Sequence, residues 1–435
     1  MPKSWSRLSR KLVYFFGLES KAISALNHTR FDITAKTIFG RSFLEKNCSS
    51  YPKRVYEEHL RVWNGFFEKN PPKTTKEDFL KAYEQILASH RLKEFRNSSS
   101  RIPISPNGQI SNGSHRIASA IVQDKKVIFE RSAFTQPTKF DANFFREKGL
   151  SENILDSMTL EYLRLRQTNL HMVLLYPIAN QHDQAVDSIL DMAGVIINEK
   201  VVTIHQSGTI NFIHQVYFGE NWFSRENQTN LVNKTIESFG TNQAGQYKVK
   251  AILLEVNNSR GDLAQAKNEI RKQFSSHHFV HTTDTRRECL VVAKMIFNSN
   301  SICFINKQDL TKSTPRFDEL FSEYDSLPAH DERCIDSGGV LAAYGLRDTG
   351  GDLDYLYRTD GMHPRESPGG ISNHLSQSQF FAETIDEIIT NPQKHFYYVG
   401  QKFATLDVVK NMKIRRNEAK DQQDIMLIEA IDYLK

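Results

Sequence analysis

The stretch Asp336-Ser-Gly-Gly-Val-Leu-Ala-Ala-Tyr-Gly-Leu-Arg-Asp-Thr-Gly-Gly-Asp-Leu-Asp-Tyr-Leu356 decides how the C-terminal part of this chain is read. Gly338 and Gly339 open an apolar run, Val340 to Tyr344, of helical character. A glycine-rich turn then leads into Asp352-Leu353-Asp354-Tyr355-Leu356, whose alternation reads as a strand. Side chains two apart on a strand share a face, so Asp352 and Asp354 are expected to project together. Paired carboxylates beside a Gly-Gly turn and a helix start suit a divalent cation with a triphosphate, because hard oxygens hold the metal while backbone N–H groups hold phosphate. The chemistry this pattern points to is phosphoryl or nucleotidyl transfer.

Working outward, Phe396 to Leu406 reads as a strand, a tight turn and a second strand. Behind it come Lys410, Lys413 and Arg416, then Lys420-Asp421 and Asp424. Ser337-Gly338-Gly339 followed by Asp352-x-Asp354, with a basic helix and Lys-Asp-x-x-Asp at the end, resembles the polymerase-beta-like nucleotidyltransferase superfamily over about residues 325–435. The resemblance implies a nucleotidyltransferase fold in which Asp352 and Asp354 hold Mg²⁺ and Ser337, Gly338 and Gly339 cradle the phosphates of a nucleoside triphosphate. Lys413 or Lys420 would neutralise charge in the transition state. Active members of that family carry a third carboxylate on a later strand. No strand after Asp354 offers an obvious one; Asp360, Glu366 and the acids of the Glu383–Glu387 helix are the candidates.

The chain has 435 residues, 39% of them hydrophobic and 25% charged, which is the composition of a soluble protein with about two to four domains. No apolar run approaches the ~20 residues that span a bilayer. The cluster Leu12–Leu18 follows basic residues but is short and runs into Glu19, so it reads as buried structure rather than a signal peptide. Cys48, Cys289, Cys303 and Cys334 show no paired spacing, which implies neither a zinc site nor a disulfide framework and fits a cytoplasmic protein. The formal net charge of +5 favours anionic ligands without requiring a nucleic acid partner.

Residues 1–100 place apolar and charged positions at helical spacing, most clearly in Val55–Phe67 and Lys76–Phe95. In Arg101–Ile121 a short strand, a Pro-Asn-Gly turn and a second strand lead to a helix beginning near Ser114. Asn112-Gly113 supplies the turn, and His115 and Arg116 fall in the first helical turn, where free N–H groups favour an anion. This segment resembles the ParB and sulfiredoxin superfamily over about residues 100–130. The resemblance implies a nucleotide-phosphate pocket at Asn112, Gly113, His115 and Arg116, and with it the alternative of an ATP-dependent kinase acting through the N-terminal part.

In the middle, strands at His171–Pro177, Gly194–Thr203 and Lys248–Val256 alternate with helices at Asp183–Met192, Leu263–Phe274 and Arg287–Phe297, and a strand is expected at Ser301–Ile305. This alternation predicts an α/β layer. Glu269-Ile270-Arg271 followed by His281-Thr282-Thr283-Asp284-Thr285 faintly resembles the C-terminal part of nucleoside diphosphate kinase, although the nucleophilic histidine of that family is not matched.

The expected architecture is therefore α/β and α+β in three modules. Residues 1–165 form a helical module with a ParB-like loop, 166–312 a ferredoxin-like α/β domain, and 313–435 a nucleotidyltransferase-fold domain. Thr311–Asp331, rich in Ser, Pro and acids, reads as the linker. The expected function is Mg²⁺-dependent nucleotidyl or phosphoryl transfer from a nucleoside triphosphate to a small acceptor such as a sugar or polyol phosphate. The rival is a non-catalytic nucleotide-sensing scaffold, which the missing third carboxylate favours.

Overall fold

The computed structural model describes residues 19–433 with short interruptions, the longest being 93–100, 221–227 and 359–369. Leu12–Leu18, Cys48, Asp360 and Glu366 lie outside the described residues. The protein has a mixed α/β architecture with several small sheets, divided into two compact units, Met1–Gln167 and Thr168–Lys435. The expected end of the helical module, at 165, lies inside the first unit. The second boundary expected, at 312, lies inside the second unit. Among the described residues no single helix is long and apolar enough to cross a membrane.

The first unit is mostly helical. The helices Asp32–Leu44, Tyr51–Asn64, Lys76–Leu92, Ser114–Val122 and Glu152–Leu165 accompany a three-stranded sheet with Lys126–Arg131 between Glu19–Lys21, antiparallel to it, and Ile102–Ile104, parallel to it. Alternation sets the sheet's buried face, since Ile102, Ile104, Val127 and Phe129 all lie in the core. Under the helices sits a buried ionic cluster in which Asp32 accepts from Arg30 (2.9 and 3.0 Å) and from Lys36 (2.5 Å), while the Lys36 ammonium lies over the Trp63 ring. Burial alone would raise the Asp32 carboxyl, but the two cations outweigh it and hold the group far below the usual carboxylate range.

Among the described residues, the second unit carries two sheets. In the first, the strand order is Gly194–His205, Gln246–Val256, Leu170–Leu175, Val280–Thr282, with every neighbour antiparallel. Helices Asp183–Ala193 and Leu263–Lys272 contribute Val186, Leu190, Ala266 and Ile270 to a core closed by Val173, Leu175, Ile252 and Leu254 of the sheet. In the second, the order is Ile371–Asn373, Leu353–Tyr357, Arg333–Ile335, Gln401–Ala404, His395–Tyr398, with two parallel and two antiparallel pairs. The turn joining the last two strands places Val399 and Gly400 at φ +49° and +79°, the paired left-handed conformation that a two-residue hairpin loop needs.

Two expectations about the stretch between these sheets are corrected. Ser301–Ile305 is not a strand but part of the helix Ser299–Lys307, started by Asn298, whose side chain accepts from the Ser301 N–H. Thr311–Asp331 is not a linker, because Pro315–Ser326 is a helix with Phe317, Leu320, Phe321 and Tyr324 buried. That spacing is the one-face pattern of a helix, hidden in the sequence by the Ser, Pro and acidic residues between. The helix Ser299–Lys307 seats Phe304 against Phe396 (centroids 4.4 Å apart, stacked) and Tyr344 (4.7 Å, edge-on).

Candidate functional site

The strand Arg333–Ile335 ends at Asp336, and Ser337 turns the chain into the short helix Ser337–Ala343 with a left-handed φ of +49°. Gly339 is required by packing: a Cβ there would stand 2.6 Å from Leu353 Cδ1 and 2.7 Å from Ile335 Cγ2. Antiparallel pairing of Cys334 with Leu356 and Ile335 with Tyr355 puts Asp336 opposite Asp354, and the Asp336 N–H donates to the Asp354 carbonyl at 3.0 Å. On the other side, parallel pairing sets Asp354 beside Ser372, whose hydroxyl donates to Asp354 Oδ1 at 2.9 Å. The strand then ends at His374, whose N–H donates to the Tyr355 carbonyl at 2.8 Å.

Three strand ends thus converge on one cluster. His374 Nδ1 lies 2.9 Å from Asp336 Oδ2, and its Nε2 lies 4.0 Å from Asp354 Oδ2. The Ser337 hydroxyl is 3.3 Å from Asp336 Oδ2 and 3.4 Å from His374 Nδ1. Asp336 is wholly buried, and its Oδ1 has no hydrogen-bond partner. Burial, and next the Asp336 charge, raise the Asp354 carboxyl above its ordinary range. Burial opposes the charged form of His374, but the bond and charge of Asp336 together with Asp354 outweigh it and raise the imidazole. Asp352 sits just ahead of the strand Leu353–Tyr357 and is exposed, so the acids drawn together here are Asp354 and Asp336.

The basic residues behind this cluster have fixed partners. Lys413, buried, pairs with Asp424 at 2.7 Å and Asp421 at 3.2 Å, while Arg416 binds Asp421 through two nitrogens. Lys420 is exposed and pairs with Glu418 at 3.3 Å. Arg347 lies beside the Ser-Gly-Gly turn: a Cβ at Gly338 would lie 3.4 Å from its Nη2. Asp424 grips Arg347 at 2.7 and 3.0 Å, so the Lys-Asp-x-x-Asp segment orients an arginine next to the turn.

Sequence reasoning missed Asp336, His374 and Arg347. The signal for Asp336 was its place between a strand and the Ser-Gly-Gly turn; for His374 it was the end of Ile371-Ser-Asn373, the next described strand after Asp354. Of the acids offered as a third carboxylate, Glu383 pairs with Lys394, Asp386 pairs with Arg358, and Glu387 accepts from the side-chain amide of Asn391 at the end of its own helix.

In the first unit, Gly113 adopts φ +92° ahead of the helix Ser114–Val122, and Asn112 Oδ1 accepts from the Gly113 N–H at 2.6 Å. Arg116 folds back over this turn, where a Cβ on Gly113 would meet its Nη2 at 2.9 Å, and Nη1 donates to the Arg101 carbonyl at 3.0 Å. His115 points elsewhere. Its ring packs edge-on against Tyr83 (4.8 Å), and Nε2 lies 2.9 Å from the Tyr56 hydroxyl. Burial first, then Lys36, His59 and Lys73, hold the half-buried His115 well below the ordinary histidine range, and its ring faces Tyr56 and Tyr83 rather than the loop.

A second histidine cluster lies at the edge strand Val280–Thr282. His281 is buried with Nε2 unpartnered, packs edge-on against Tyr217 at 4.8 Å, and is pushed down to about 3 by burial and then by Lys267, Lys234 and Arg271. No protein-family model matches the chain, and no curated protein or solved structure is significantly similar to it.

Proposed function

We propose that the second unit transfers a nucleotidyl or phosphoryl group from a nucleoside triphosphate, with Mg²⁺, to a small acceptor of the sugar or polyol phosphate class. The observation that supports this reading is the pairing of Asp336 and Asp354 at the Ser-Gly-Gly turn, with a buried Asp336 oxygen left without a partner. Two buried or half-buried acids with a free oxygen fit a cation; among the described residues no group of three or more His, Cys, Asp or Glu could hold a metal. Mg²⁺ needs no such cage, since one or two carboxylates with phosphate oxygens and water suffice. Asp354 and Asp336 would hold it, with Asp352 at the exposed edge. A cation held by these two carboxylates would supply charge neutralisation for the triphosphate.

The chain's own residues do the rest. Ser337, Gly338 and Gly339 offer N–H groups and a hydroxyl to the phosphates. Arg347 takes the charge-neutralising role that the sequence assigns to Lys413 or Lys420, while Lys413 holds Asp424 in place behind it. In finer terms, this reading makes the C-terminal sheet a nucleotidyltransferase fold and the middle sheet a ferredoxin-like split βαβ, as its strand order supports. The helical unit keeps a ParB-like loop. Buried free thiols at Cys289 and Cys334 suit a cytoplasmic setting, and no nucleic acid is required.

The test is calorimetric titration of nucleoside triphosphates with and without Mg²⁺, in wild type and in Asp354→Asn and Asp336→Asn. Loss of Mg²⁺-dependent binding in folded variants is expected; wild-type affinity in both sinks the metal assignment. A second reading rests on His281, whose unpartnered Nε2 amid Lys234, Lys267 and Arg271 suits phosphoryl capture by the middle sheet. Phosphate labelling that disappears in His281→Ala but survives Asp354→Asn would favour it.

A further inference from the structure

We propose that Ser337 is itself an acceptor, carrying the nucleotidyl group on Oγ as a covalent intermediate. This rests on the nucleotidyl-transfer reading above. The first observation is conformational. The chain has glycines available at 338 and 339, yet the left-handed residue that turns the strand Arg333–Ile335 into the helix Ser337–Ala343 is the serine, at φ +49°. A β-carbon in that region is strained, and such strain collects where a side chain must be presented in one direction. A strained serine between a strand and a helix is also how nucleophilic hydroxyls are held in other folds.

The second observation is what the hydroxyl faces. Asp336 Oδ2 accepts from His374 Nδ1 at 2.9 Å and from the Ser337 hydroxyl at 3.3 Å, while Asp336 Oδ1 is buried without a partner. With Nδ1–H directed to Asp336, the imidazole is a positioning group and the carboxylate is the nearest base for the serine proton. In the step, Ser337 Oγ attacks the α-phosphorus and a new O–P bond forms. The bond from the α-phosphorus to the bridging oxygen breaks, pyrophosphate leaves with that electron pair, and the serine proton passes to Asp336. An acceptor phosphate oxygen then attacks the same phosphorus, the P–Oγ bond breaks, and the proton held by Asp336 returns to Ser337 Oγ; an acceptor hydroxyl releases its own proton to solvent as its O–P bond forms.

The experiment incubates the full chain with Mg²⁺ and each of the four common ribonucleoside triphosphates, without acceptor, and reads the intact mass. One nucleotidyl increment per chain is expected, mapped to Ser337 by fragmentation and absent from Ser337→Gly. Glycine tolerates the left-handed φ, so that variant keeps its fold, which a melting curve checks. Wild type that binds nucleoside triphosphate yet gains no mass overturns the covalent step and leaves the nucleotidyl-transfer reading standing. An increment that persists in Ser337→Gly, or one of phosphoryl size, also overturns it. Wild type that binds no nucleoside triphosphate overturns both.

Discussion

Cutting the chain at Ser313 separates a C-terminal module from the rest, and the structure predicts that the fragment Ser313–Lys435 does not fold alone. The cut removes the helix Ser299–Lys307, and with it Phe304, which is fully buried against Phe396, Tyr344 and Tyr398. Truncating one buried Phe to Ala costs about 3–5 kcal/mol. The cut also removes the amides of Asn298 and Gln308, which donate to the carbonyls of Pro392, His395 and Ala343. Each such bond is worth about 0.5–1.5 kcal/mol net. The total of about 4.5–9.5 kcal/mol rivals the whole stability of a typical domain, about 5–15 kcal/mol. The assay compares Ser313–Lys435 with Thr168–Lys435 by circular dichroism and urea unfolding. The longer fragment should unfold cooperatively and the shorter one should not. A shorter fragment with a cooperative transition near that of the longer would refute the reasoning and restore the boundary that the sequence suggests at 312.

Asp32→Ala leaves Arg30 and Lys36 buried without their shared anion and should cost about 3–5 kcal/mol in chemical denaturation; a loss under about 1 kcal/mol would mean the cluster relaxes or fills with water. His374 and Asp354 both hold protons more tightly folded than unfolded. The His374 contribution to stability is therefore complete below about pH 6.5 and lost as pH rises through its higher folded value. His374→Gln should flatten this slope in melting curves taken across that window, and an unchanged slope would show that the imidazole is not the group responsible. Arg116→Ala should weaken any phosphate-bearing ligand of the N-terminal loop by about 1.5–3 kcal/mol in calorimetry. His115→Ala should lower thermal stability instead; the reverse pattern would restore His115 to the loop.

Much of the local structure was legible because it follows from short-range periodicity. The helix at Ser114, the strand at Asp354, the paired strands after Phe396 and the basic helix behind them all stand where alternation, glycine and turn residues place them. Where polar residues crowded an apolar stripe, as in Pro315–Ser326, the same rules applied but the stripe was masked. The inward turn of His115 was not legible, because a first-turn residue can face loop or core and Tyr56 and Tyr83, on two other helices, supply the core.

By itself the sequence determined that two acids stand two residues apart beside a Ser-Gly-Gly turn, since that is a statement about neighbours along the chain. Only the tertiary structure decided which groups share the site. The antiparallel register that sets Asp336 opposite Asp354, and the parallel register that sets Ser372 beside it, bring in His374 from 38 residues beyond Asp336. Strand pairing is chosen by how whole faces bury against helices, and a shift of one residue would turn these side chains to the other face of the sheet. No local pattern carries that choice, so the partner of Asp354 is a property of the packed sheet and not of the motif.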